Sequence, residues 1–182
     1  MLKNERIKLL PPSLERAPEM LEAIRESQQE LAVYLPWVPY SLTEEESEKN
    51  TQEAMDNFAN FENELRFSIY DRASKRFIGA VGLIIRDKAV PYFEIGYWLR
   101  SSEVGKGYVT DAVKLVEQYA FNELDANRLE ICADVSNDKS RAVAERNGYQ
   151  QDGIFANHRR ACTGELSDTV VYSKTRYDGV KR

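Results

Sequence analysis

Apolar positions along the chain switch between a two-residue and a three-to-four-residue period, and the switches mark its elements. Residues 6–9 predict a short opening strand, stopped by Pro11 and Pro12. Pro18 suits the first turn of a helix, where its missing N–H costs nothing, and Met20, Ile24 and Leu31 then keep helical spacing. Residues 35–39, with two prolines around Trp37 and Val38, predict an irregular, exposed loop. Thr43 followed by Glu46 is a capping-box sequence. The helix it opens is expected to carry Ala54, Phe58, Phe61 and Leu65 on one face. Two antiparallel strands over 66–70 and 76–85 follow, joined by a polar turn at 71–75. Residues 87–89 separate the second of these from a strand over 93–99.

Beyond that strand lies the turn Val104-Gly105-Lys106-Gly107-Tyr108-Val109, which opens a helical run over 110–124. Val109, Ala112, Val113, Val116, Ala120 and Phe121 recur every three or four positions, so this helix packs on the sheet. Residues 129–135 predict a strand and 137–147 a short helix that Gly148 can end in a left-handed conformation. Two last strands are expected over 149–156 and 169–174, with His158, Arg159 and Arg160 in the segment joining them. Early helices, a mostly antiparallel run of strands and one strand-helix-strand crossover make an α+β, or mixed α/β, chain.

The glycine turn carries the chemistry. Glycines that free backbone N–H groups at a helix start make an anion site. The spacing is not G-x-G-x-x-G, and Lys106 lies between the glycines rather than before a Ser or Thr. A dinucleotide fingerprint and a Walker loop are both excluded. The 182 residues suit one domain over 1–182 with a good-sized core, and no repeat or linker divides it. With 30% charged residues and a net charge of -5, the chain reads as globular and not as a general polyanion binder. It has no bilayer-length apolar run and no signal-peptide pattern. Cys132 and Cys162 have no metal-type spacing, which fits a reduced cytoplasmic setting, and the single His158 makes a Ser-His-Asp triad or multi-His metal site hard to build.

Four segments in order, Glu94-Ile95-Gly96-Tyr97-Trp98-Leu99, Gly105 to Ala112, Asn137-Asp138-Lys139-Ser140-Arg141-Ala142 and Arg146-Asn147-Gly148-Tyr149, resemble the GNAT superfamily of acetyl-CoA-dependent N-acetyltransferases. Within it the pattern is similar to the RimJ/RimL branch, which acetylates ribosomal-protein N-termini. The Leu35-Pro36-Trp37 loop and the late Gly164-Glu165-Leu166-Ser167-Asp168 segment fit that branch too. The resemblance implies a twisted sheet of about seven strands flanked by about four helices. It also implies acetyl-CoA as cosubstrate, a protein N-terminus as acceptor, no direct nucleic acid or membrane partner, and a monomer or homodimer. The sequence departs from the family in two places. Val104, Gly107 and Val109 stand where the turn usually reads Gln/Arg, Gly and Gly/Ala, and Ala144 stands where many members have a tyrosine acid. Ser140, one helical turn earlier, becomes the candidate acid, as in that branch.

The resemblance implies that the backbone of Tyr97, Trp98 and Leu99 pairs with the pantetheine arm, on a strand that splays from its neighbour. The amides of Val104, Gly105, Lys106, Gly107, Tyr108, Val109 and Thr110 suit the pyrophosphate. Lys106 either adds a charge-assisted contact or is solvated. Asn137 either binds the arm or caps its helix, and Arg146 lies near by. Glu94 is the candidate base: strand alternation puts it with Gly96 and Trp98, opposite Phe93, Ile95 and Tyr97. Otherwise it is a solvated or salt-bridged strand residue, as Ser140 is otherwise a helix-capping serine. An α-amine needs only a modest base, because a pKa of about 7.7–8.0 leaves roughly a tenth of it free at pH 7. A lysine, near 10.4, is roughly 3.4 kcal/mol harder to deprotonate. Trp37 and Tyr40 either line the acceptor mouth or hold their loop to the core, and Glu165 and Asp168 either face the amine or shape a turn. Two alternatives to the N-terminal enzyme stay open: a small-molecule amine acetyltransferase, for a polyamine, an amino acid or an aminoglycoside, and a non-catalytic acyl-CoA-binding module.

Overall fold

The computed structural model describes residues 2–176, which form one eight-stranded sheet and five α-helices. The strands are β1 (Leu2–Lys3), β2 (Ile7–Leu10), β3 (Glu64–Asp71), β4 (Phe77–Asp87), β5 (Tyr92–Leu99), β6 (Arg128–Asp134), β7 (Gln150–Arg160) and β8 (Leu166–Thr175). The helices are α1 (Ala17–Glu26), α2 (Gln28–Leu31), α3 (Glu44–Asn60), α4 (Tyr108–Glu123) and α5 (Asp138–Arg146). The sheet order is β1-β2-β3-β4-β5-β6-β8-β7, and every described pairing is antiparallel except β5 with β6. That parallel pair is joined through α4, the crossover such a connection requires.

Strand alternation sorts the side chains into two faces. Leu65, Phe67, Ile69, Val81, Leu83, Phe93, Ile95, Leu129 and Ile131 enter one core, against Ala112, Val113, Val116 and Ala120 of α4. Each fully buried aliphatic side chain there contributes about 1.5–3 kcal/mol. A second cluster, Met20, Ala23, Ile24, Val38, Tyr70 and Phe77, seats α1. The opposite face of β3 to β6 is not covered in this way. Glu64, Arg66, Gly82, Ile84, Glu94, Gly96, Trp98, Cys132 and Asp134 line a cleft of about 1700 Å³.

Local signals act largely as expected. Thr43 Oγ1 accepts from the Glu46 N–H at 3.2 Å, and Glu46 Oε2 accepts from the Thr43 N–H at 3.1 Å. The helix they open is shorter than the apolar pattern suggests. It ends at Asn60, Phe61 takes a left-handed φ of 53°, and Leu65 belongs to β3. The proline-rich loop also differs from expectation. Val38–Tyr40 is a 3-10 turn, and Val38 is fully buried under α1, because the prolines fix φ without preventing the side chain between them from packing inward. The helix of residues 18–31 breaks at Ser27 into α1 and α2. The short β1 was not expected, and β7 runs on to Arg160, so His158 lies in a strand rather than in a connection. No helix among the described residues is long and apolar enough to cross a membrane.

Candidate active site

The site is built where the sheet opens. β5 pairs with β6 only at Tyr92, Phe93 and Glu94, while β6 stays paired with β8 along its length. From Ile95 to Leu99 the β6-facing edge of β5 therefore has no strand partner among the described residues. A buried sheet edge must satisfy its polar backbone groups in some way, and an extended amide-bearing ligand can do so by strand addition. The split is bridged at one point: the Tyr97 phenol lies 3.1 Å from the Ser140 carbonyl oxygen and 2.9 Å from Ser140 Oγ on α5. Burial pushes the Tyr97 phenol up to about 12, so it stays a neutral donor.

Behind β5 the chain makes a 3-10 turn at Ser101–Glu103 and then the glycine bend. Gly105 and Gly107 have φ of 84° and 81°, a region costly to residues with a Cβ. The helix starts at Tyr108, two residues earlier than its apolar period suggests, with Gly107 as its N-cap. The first N–H groups of α4 have no intrahelical acceptor. Those of Gly105, Lys106 and Gly107 have no partner among the described residues. Nothing lies within 4 Å of a Cβ built at Gly105. Exposed donors, open space and the positive end of a sixteen-residue helix fit a diphosphate.

Two arginines invisible to motif reasoning hold this bend. Arg6, on the link into β2, donates to the Lys106 carbonyl at 2.6 Å and to Asp111 Oδ2 at 2.8 Å, and lies 4.7 Å from the Tyr108 ring centroid. Arg100 is 1% exposed and joins the end of β5 to α1. It donates to the Phe77 carbonyl at 2.8 Å, to Glu22 at 3.0 Å and to Glu26 at 2.6 Å. Glu26 also accepts from Ser102 Oγ at 2.6 Å, and the Ser101 N–H donates to Ser27 Oγ at 2.9 Å. No sequence signal joins residues 74 to 105 positions apart. Lys106 pairs with Glu103 at 2.8 Å on the surface.

Glu94 lies in the cleft with Gly96 and Trp98, as alternation requires. Arg86 Nε and Nη2 both donate to its Oε2, at 3.0 and 2.5 Å. Asn137 is the N-cap of α5, its Oδ1 accepting from the Ser140 N–H at 3.1 Å. The serine side chain is therefore not the cap, and its hydroxyl faces Tyr97 instead. Arg146 is exposed, lines the cleft and has no hydrogen bond or ion pair among the described residues. Ala144 is fully buried in the core.

Other expectations divide. Trp37 lines the cleft and also packs on Trp98, with centroids 6.1 Å apart. Tyr40 is 72% exposed and does not line it. Asp168 accepts from the Asn157 N–H at 2.8 Å, and the Glu165 carbonyl closes the turn after β7, so both shape that turn rather than face the cleft. His158 is an exposed rim residue bonded to Thr169. Cys132 lines the cleft, but burial, with Glu94 and Glu130 adding to it, pushes its thiol up to about 12. That leaves it a poor nucleophile at neutral pH.

A family model described as an acetyltransferase (GNAT) domain matches residues 6–150. The chain belongs to the GNAT acetyltransferase family. It is 40% identical over 110 residues, 57% of either chain, to a Bacillus subtilis (strain 168) protein named "Putative ribosomal N-acetyltransferase YdaF". It is 41% identical over 93 residues to another from the same organism, "Probable N-acetyltransferase YjcK", covering 50% of this chain and 51% of that one. The chain thus spans about half the length of these curated relatives. Among solved structures it resembles the microcin C7 self-immunity acetyltransferase MccE in complex with acetyl-CoA and AMP. The TM-score is 0.87 at 28% identity, over 94% of this chain and 93% of that one. RimL, the ribosomal L7/L12 α-N-protein acetyltransferase solved with coenzyme A, has the same GNAT fold. Its TM-score is 0.89 at 20% identity, over 94% and 95% of the two chains.

Proposed function

We propose that this GNAT protein transfers acetyl from acetyl-CoA directly to a primary amine, and that the acceptor is a protein N-terminal α-amine of the ribosomal-protein type. The observation that carries the reading is the open edge of β5 after Glu94, set immediately before a glycine bend with free amides. The relatives' names favour the protein acceptor. Main-chain groups of Tyr97, Trp98 and Leu99 hold the pantetheine arm. Amides from Gly105 to Thr110 hold the diphosphate, with Arg6 keeping the bend in place; the Val104 N–H, expected among them, is instead taken by the Ser101 carbonyl at 3.3 Å. Arg146 supplies a cation, unpaired among the described residues, beside the same cleft. Acetyl-CoA supplies an activated thioester.

Glu94 takes the proton of the incoming amine through the carboxylate oxygen that Arg86 leaves free, directly or through a water. The amine nitrogen bonds to the acetyl carbon, the carbon–sulfur bond breaks, and sulfur leaves as a thiolate. Ser140 donates a hydrogen bond or a proton to that sulfur. A thiol pKa near 8.5 makes this a mild demand, and the Tyr97 phenol beside Ser140 supplies the tyrosine that position 144 lacks. Direct attack needs no acyl-enzyme, consistent with the protonated Cys132.

Glu94→Gln is expected to lower turnover about 100-fold, most strongly at the acid end of the pH–rate profile, with acetyl-CoA affinity intact; an unchanged profile rejects Glu94 as base. Ser140→Ala keeps the Asn137 cap, which uses the backbone N–H. It is therefore expected to lower turnover about tenfold with little loss of melting temperature, and a stability loss without a kinetic effect would make the serine structural. Ala144 keeps one rival reading in view, a silent acyl-CoA-binding module. Thiol release from acetyl-CoA, measured with free-α-amine peptides beside polyamines, tests the proposal. Release with peptides supports it, release with polyamines alone moves the acceptor to small molecules, and no release with any amine leaves the silent module.

A further inference from the structure

The cleft floor contains a second carboxylate placed differently from Glu94. In the sheet register Arg66, Gly82 and Gly96 stand side by side on β3, β4 and β5, and so do Glu64, Ile84 and Glu94. Two adjacent glycines leave a patch of floor with no side chain. The Glu64 side chain leans into it: a Cβ added at Gly82 would lie 1.9 Å from Glu64 Oε1 and 2.8 Å from its Cδ. Strands are about 4.8 Å apart, so the carboxylate lies roughly one strand from Gly96, beside the edge proposed to hold the pantetheine arm. Among the described residues the Glu64 carboxylate accepts no hydrogen bond and makes no ion pair. Neither neighbouring arginine bonds it. Arg66 Nη2 donates to the Asn50 carbonyl at 2.9 Å, and Arg86 is held by Glu94. Glu53 of α3 adds only further negative charge beside Arg66.

A partly buried carboxylate with no partner among the described residues is costly to a fold, and its retention is explained when a cation from outside completes it. We propose that Glu64 receives the ammonium form of the acceptor, holding the incoming amine over the Gly82–Gly96 floor before its proton passes to Glu94. This rests on the acetyltransferase reading and deepens it: the acceptor is selected for positive charge at the reacting end. Glu64 is a binding group here, and Glu94 keeps the proton transfer. Desolvation raises the Glu64 carboxyl above the ordinary glutamate range, against a smaller opposing effect of Arg66. Capture therefore weakens as pH falls and the carboxylate is protonated. The same raised value means that ionisation opposes folding at neutral pH, so neutralising the group should stabilise the fold.

The test is Glu64→Gln in the full chain, with a peptide bearing a free α-amine as probe. Expected are an unchanged acetyl-CoA Kd, an equal or higher Tm, a KM for the peptide raised 30-fold or more with kcat changed less than threefold, and a flattened acid limb of kcat/KM. Gly82→Ala, which leaves Glu64 chemically intact but displaces its carboxylate, should raise KM in the same way. A wild-type KM in Glu64→Gln overturns this role while leaving the acetyltransferase reading in place. So does a fall in Tm together with weaker acetyl-CoA binding, which would make Glu64 structural. No transfer by the unaltered protein to any amine overturns both.

Discussion

Gly107→Glu is expected to weaken acetyl-CoA binding by at least 1000-fold, below detection in a calorimetric titration. Two effects add. Gly107 has a φ of 81°, and forcing a side chain into that region costs about 1–2 kcal/mol, which is enough to shift the N-cap and turn the donor amides. The new carboxylate then stands where a diphosphate would bind, and like charges at such range in a site partly shielded from water cost several kcal/mol more (about 4 at an effective dielectric of 20). Circular dichroism should still report a folded protein, because Gly107 is exposed and a Cβ there meets only Arg6 Nη1, at 3.5 Å. Wild-type affinity in a folded Gly107→Glu protein would take the bend out of the binding site. Gly107→Ala adds the backbone strain without the charge, and should lose about tenfold.

Arg100→Leu is expected to destabilise the fold by about 3 kcal/mol, read from the midpoint of urea unfolding. Removing one member of a buried ionic cluster leaves the others unpaired. Here the Phe77 carbonyl loses its guanidinium donor and Glu22 loses its cation, while Glu26 keeps Arg76 and Ser102. The two glutamates are partly exposed, at 66% and 31% of their side chains, which keeps the cost to the low end of the range for buried pairs. The variant should also bind acetyl-CoA more weakly, since α1 would hold residues 101–103 at the entry to the bend only through the Ser27 and Glu26 bonds. The cluster carries a pH signature. Bonds from Ser102 and Arg100 hold the Glu26 carboxyl below the ordinary glutamate range. A depressed carboxyl stabilises the fold above its unfolded pKa and loses that contribution as pH falls through its folded pKa. Wild type should therefore lose stability on acidification below about pH 4.5 more steeply than Glu26→Gln. Equal acid profiles would remove Glu26 from the account, and an Arg100→Leu protein as stable as wild type would remove the cluster.

Residues 93 to 149 carried their meaning locally. A helix start, a left-handed glycine and an alternating strand depend on neighbours within four positions, so the bend and the side of β5 that carries Glu94 could be read before any fold was known, with Asn137 left open between a cap and an arm contact. Local reading failed where packing decided. Phe61 and Leu65 extend a helical period past the point where the chain turns left-handed into β3. Val38 looks like loop sequence until α1 is placed over it. Ser140 reads as a candidate acid or else a helix cap, and no local pattern shows that its hydroxyl meets a tyrosine 43 positions away.

By itself, then, the sequence determined most of the elements, the glycine bend and the family, because each rests on short-range backbone stereochemistry. Tertiary structure alone decided how the bend is held by Arg6 and Arg100, that β5 leaves β6 after Glu94, and that the Glu64 carboxylate lies on a glycine floor with no partner among the described residues. Those are contacts between segments from 18 to 105 residues apart. Charge and hydrogen bonding act through space without regard to chain separation, and no periodicity along the chain records them.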